Sequence, residues 1–157
     1  MTLYETIGTR RAVRAYDKAA LDSVALAEIQ ACINETKQLD GESARLEIVA
    51  ADQVKNDIAP HYILAYCKAD DYAYMNAGYV LQNLDLSLQS KGYGSLWLGM
   101  AKPLEPREDF CIMLAFGKTD VSLRRDVSEF KRLPIGEISN EDNPIAQAAR
   151  LATPRPK

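Results

Sequence analysis

The chain has one histidine, three cysteines and one tryptophan among its 157 residues, and each scarcity removes a class of chemistry. His61 has no Ser or Cys nucleophile beside it in sequence, so no triad can be argued, and a lone histidine leaves a metal cluster without ligands. Cys32, Cys67 and Cys111 are odd in number and far apart, which points away from a disulfide framework and from a CxxC site and toward buried, reduced thiols. Positive charge is also short. A net charge of −3 and a pI near 5.2 do not supply the basic surface on which non-specific nucleic-acid binding depends. No apolar run approaches the roughly 20 residues of a membrane span, and the N-terminus has no apolar stretch of signal-peptide length. A cytoplasmic protein is expected, without metal, nucleic acid or membrane as partner.

What is present suits one folded domain over residues 1–157: the chain is 47% hydrophobic and 26% charged, with no repeat and no break in composition. Leu3 and Ile7 at i, i+4 spacing predict a short helix over 3–8, and Val24, Leu26, Ile29 and Ile33 predict another over 22–35, capped by Asp22 or Ser23. A polar loop over 36–43 leads to a strand through Leu46, Ile48 and Val49, and a second strand is expected at 62–67. The longest periodic pattern is a helix over 72–91 ending at Gly92, the residue type most able to take a left-handed cap. Extended segments over 93–100 and 111–116 follow, then a basic stretch and a final helix over 144–151.

Arg10, Arg11 and Arg14 are the sharpest charge feature. Arginine's planar donor fork matches a phosphate, and in an extended conformation Arg10 and Arg14 share a face. The alternative is a solvated face, or pairing with Glu5 and Asp17. The run Gly92-Tyr93-Gly94-Ser95 serves equally as a helix cap or as a place where backbone meets a ligand. It matches neither a dinucleotide fingerprint nor a Walker A loop. Trp97, close to these glycines, is the aromatic best placed to stack on a planar ligand. Asp70-Asp71 and Glu108-Asp109 read as capping or loop carboxylates, not a catalytic pair.

In their order these segments resemble the nitroreductase family. Arg10-Arg11-Ala12-Val13-Arg14-Ala15-Tyr16 stands where that family has Arg-Arg-Ser-x-Arg-x-Phe, with Ala12 in place of the usual Ser. Asn76-Ala77-Gly78, leading through the long helix into Gly92-Tyr93-Gly94-Ser95-Leu96-Trp97-Leu98-Gly99, is the most specific part of the likeness. Lys131-Arg132-Leu133-Pro134 resembles the basic stretch that closes over the flavin phosphate. The branch it most resembles carries a late Ser-x-x-Asn-x-Gln-Pro-Trp loop, so the end at Lys157 is expected to shorten the flavin site.

The resemblance implies an α+β fold with a central, mainly antiparallel sheet flanked by helices, assembled as a homodimer that binds FMN. It implies two-electron reduction of a nitroaromatic, quinone or similar small-molecule acceptor with NAD(P)H as donor. Arg10, Arg11, Arg14, Lys131 and Arg132 would hold the phosphate and polar edge, Gly94, Ser95 and Trp97 would line the site, and the backbone of Leu98, Gly99 and Met100 would approach the ring. No side chain is assigned catalysis, because the flavin carries it. The alternative is a nitroreductase-like protein that keeps the fold, and even the flavin, without turnover.

Overall fold

Each α-helix of the computed structural model, which describes residues 1–39 and 41–133, begins where a side chain can satisfy the orphan N–H groups of its first turn. For α1 (Leu3–Thr9), Thr2 and Glu5 form a reciprocal capping box. For α2 (Ser23–Glu35), the Asp22 carboxylate accepts the Ala25 N–H at 2.8 Å. For α3 (Asp71–Ser90), Asp70 accepts the Ala73 N–H at 2.9 Å. The chain leaves α3 through Gly92 at φ +88°, a conformation that favours glycine.

Four strands, β1 (Arg45–Ala50), β2 (His61–Tyr66), β3 (Gly94–Leu98) and β4 (Phe110–Gly117), form one sheet in the order β1-β2-β4-β3. Every neighbouring pair is antiparallel, giving the expected α+β arrangement. All of β2 is buried, which accounts for its unbroken apolar run: a central strand covered on both faces has no polar side to alternate. On one face α3 lays Val80, Leu81, Leu84 and Leu88 against Ile63, Ala65, Leu114 and Phe116, and α2 adds Ile29. On the other, Tyr62, Leu64, Tyr66, Leu96, Met113 and Ala115 pack with Val54 and Ala59.

His61, given no role by its sequence context, is buried in this core. Its Nε2 accepts the Leu21 N–H at 2.9 Å, its ring stacks on Phe116, and desolvation lowers its pKa. The three cysteines are free thiols; burial and the neighbouring Cys111 push Cys67 up to about 11, so it stays protonated and unreactive.

The chain forms two units, Met1–Asp126, which contains every helix and strand named above, and Val127–Lys157. The helix expected over 144–151 lies outside the described residues. Among those residues no helix is long and apolar enough to cross a membrane.

Candidate functional site

Arg10, with φ −57° and ψ 148°, turns the chain out of α1 and into an extended strap over 10–17. The strap is tied to the sheet at several points. Val13 N–H donates to the Ser95 carbonyl at 3.0 Å, Asp17 N–H to the Lys118 carbonyl at 2.9 Å, and Thr119 Oγ1 to the Ala15 carbonyl at 2.7 Å. Val13 is buried, whereas its neighbour Arg14 is exposed. Where the strap crosses β3, a Cβ on Gly94 would stand 2.8 Å from Val13 Cγ1 and 2.9 Å from Thr119 Cγ2. The close approach that Gly94 permits is therefore one between two parts of this chain.

The three arginines of the strap have different fates. Arg11 Nη1 donates to the Ser122 carbonyl at 3.1 Å, binding the strap to the segment after β4. Arg14 is exposed and, among the described residues, forms no hydrogen bond or ion pair. Arg10 pairs with neither Glu5 nor Asp17, whose carboxylates cap Thr2 and Ala19 N–H groups. Its shielded Nε lies 2.8 Å from Asp85 Oδ2 in α3, close enough for an ion pair though not angled as a hydrogen bond. The Arg10 side chain keeps 28% of its surface exposed, while Asp85 has none. Its two terminal nitrogens form no hydrogen bond to a described residue.

Asp85 is the centre of a buried polar cluster that the residue pattern did not disclose. Ser95 Oγ donates to Asp85 Oδ1 at 2.5 Å, and Gln82 Nε2 donates to Oδ2 at 3.2 Å. Gln89, one turn on in α3, donates from Nε2 to Ser95 Oγ at 2.6 Å and to the Arg11 carbonyl at 2.9 Å, and its Oε1 accepts the Arg11 N–H at 3.0 Å. Asp85, Gln89 and Ser95 are all essentially solvent-free. Tyr16, at the strap's other end, buries its hydroxyl with no hydrogen-bond partner among the described residues; burial first and the Asp85 charge second push its pKa upward. A polar pair at i, i+4 bordering the apolar stripe Leu81, Leu84, Leu88 was the available signal, but it names no partner.

The candidates on β3 separate. Trp97 packs on the α3 side of the sheet and Leu98 on the opposite side, as the period of a strand dictates, so their side chains share no surface. Just beyond, Met100 is 95% exposed, and a Cβ on Gly99 would meet nothing within 4 Å. Asn76, from the motif at the start of α3, is buried and pins the preceding loop, accepting the Leu39 N–H at 2.9 Å and donating to Gln38 Oε1 at 2.7 Å. Lys131 and Arg132 belong to the unit Val127–Lys157, where the Arg132 guanidinium lies 4.9 Å from the Phe130 ring centre. A cleft of 560 Å³ opens at the far end of the strap, lined by Ala15, Tyr16, Asp17, Gly92, Lys118 and Thr119 among others; it includes neither Arg10 nor Arg14. Chemically, then, the strap presents cationic donors on an open surface, backed by a rigid polar interior.

A family model described as "Putative TM nitroreductase" matches residues 2–152. No curated protein matches the chain. Among solved structures, the chain is similar to a "putative nitroreductase in complex with fmn" from Desulfovibrio desulfuricans, with a TM-score of 0.61 and 17% identity over 90% of this chain and 96% of that one. It is similar to an FMN-dependent nitroreductase from Clostridium difficile R20291, with a TM-score of 0.64 and 13% identity over 89% and 99%. A "putative nitroreductase" from Thermotoga maritima gives a TM-score of 0.60 and 20% identity; the match covers 87% of this chain and 55% of that longer one. At such identities these likenesses establish a shared fold.

Proposed function

The chain belongs to the nitroreductase family whose model matches residues 2–152, and we propose on that basis that it is an FMN-dependent NAD(P)H oxidoreductase. The observation that carries the reading is Arg10: a guanidinium held at Nε by a buried carboxylate, whose terminal nitrogens form no hydrogen bond to a described residue, is a ready receptor for a phosphate. Arg14 lies on the same parity of the strap and adds a second exposed cation. The donor set thus fits a flavin mononucleotide, whose phosphate needs cations and whose ring needs an unobstructed backbone. Open space at Gly99 and Met100 supports placing that backbone there. Bound FMN would supply two-electron transfer from NAD(P)H to a nitroaromatic, quinone or similar acceptor. The work of the protein is to bind and orient it.

A single chain offers these groups on an open surface. Apolar residues lie exposed on α1 and α3, two helices in contact, among them Tyr4, Ile7, Met75 and Tyr79, and exposed apolar surface on such a helix pair suits an interaction face. We therefore also propose a two-fold homodimer, in which a second copy covers that face. The function is tested by titrating apo-protein with FMN and following flavin fluorescence, then adding NAD(P)H. Saturable quenching and bleaching of the flavin bands are expected; a protein that ignores FMN would overturn the proposal.

A further inference from the structure

We propose that Asp85 is a positioning residue: it aims Arg10 at the flavin phosphate, and Gln89 holds the strap on which Arg10 sits. The inference rests on the FMN reading above and concerns how the phosphate site is built. A carboxylate with no exposed surface is costly to keep ionised unless it is paired and hydrogen-bonded. Here it has both, from Arg10, Ser95 and Gln82. The closest approach of the pair is through Arg10 Nε, the inner corner of the guanidinium, and the outer pair of nitrogens, which form no hydrogen bond to a described residue, is left to grip two phosphate oxygens. Gln89 supports this from below. By accepting the Arg11 N–H and donating to the Arg11 carbonyl it imitates a strand partner, so the backbone beside Arg10 cannot slide along the sheet. Ser95 joins the two, donating to Asp85 and accepting from Gln89.

The opposite role for Asp85 carries the opposite sign. If the carboxylate merely neutralised Arg10, removing its charge would strengthen the hold on phosphate; if it positions Arg10, removing it would weaken that hold. Affinities of the apo-protein for FMN and for riboflavin, which lacks the phosphate, separate these outcomes, and loss of fold does not imitate the result because riboflavin reports the rest of the pocket. Asp85→Asn is expected to reduce the preference for FMN over riboflavin about tenfold, the equivalent of one charge-assisted hydrogen bond, with riboflavin affinity unchanged. Asp85→Glu keeps the charge but displaces it by one methylene; it is expected to lower the same ratio, and it serves if Asp85→Asn does not fold. An unchanged or increased FMN preference in these variants would overturn the positioning role while leaving the phosphate site standing. Wild-type protein that binds FMN no better than riboflavin would instead overturn the phosphate-site reading, and this inference with it.

Discussion

Arg10 and Asp85 meet at 2.8 Å across 75 positions of sequence, with Asp85 wholly buried and Arg10 partly exposed. Removing one member of such a pair leaves a buried charge without compensation, a change that typically costs about 3–5 kcal/mol. Because water reaches part of Arg10, Arg10→Met is expected at the lower end, about 3 kcal/mol, measured by urea denaturation. The double variant Arg10→Met/Asp85→Leu should recover part of that loss, since neither charge then remains in the interior although the Ser95 and Gln82 donors lose their acceptor. A single variant as stable as wild type would show that the pair does not hold the strap.

Arg14 should behave differently. It is exposed and has no partner among the described residues, so Arg14→Ala should leave stability within about 0.5 kcal/mol. Loss of one charge-assisted phosphate contact, roughly 1.5–3 kcal/mol, should still weaken FMN at least about tenfold by fluorescence titration. Unchanged affinity would exclude Arg14 from the site.

Two glycines of the same segment give a second contrast. A methyl on Gly94 would press into Val13 and Thr119 at under 3 Å, so Gly94→Ala should cost about 1–3 kcal/mol through overpacking. Gly99→Ala meets open space and should leave the thermal midpoint unchanged while lowering FMN affinity, because a methyl there would obstruct a ring lying on the backbone. Gly99→Ala with full FMN affinity would move the ring elsewhere.

His61 sets a pH dependence. Burial depresses its pKa, and its Nε2 must stay unprotonated to accept the Leu21 N–H. Below its ordinary value of about 6.5 the unfolded chain takes up the proton more readily than the folded one. Stability is thus fully present above about pH 6.5 and falls as the pH drops from there toward the depressed folded value. Urea midpoints at pH 7.5 and 5.5 should show the fall in wild type and a smaller one in His61→Gln, whose amide oxygen can still accept the hydrogen bond. Equal slopes would assign the dependence to other groups.

The homodimer is tested by light scattering, which should return twice 17.4 kDa at micromolar concentration. Met75→Glu, on the exposed part of α3, should shift the mass toward that of one chain without unfolding it. A wild-type mass of one chain would end the proposal.

The local features of this protein were legible because their causes are local. Asp22 and Asp70 cap the turns that follow them, Gly92 ends α3 because few other residues adopt its φ, and the apolar run over 62–67 announced the strand β2, whose cover on both faces the fold then supplied. The order of the arginine strap, long helix and glycine-bearing strand was likewise enough to indicate the family, since that order is carried by residue types along the chain. The division of labour among the arginines was not legible. Glu5 and Asp17 were the near acids, yet both are occupied by backbone N–H groups beside them, and the partner of Arg10 lies on a helix reached only after two strands. Spacing along a helix shows which of its residues share a face, but not which segment will be laid across that face. Packing of α3 against the sheet decided that: it buried Asp85, and a carboxylate without water is stable only with the cation and donors that the fold delivers to it.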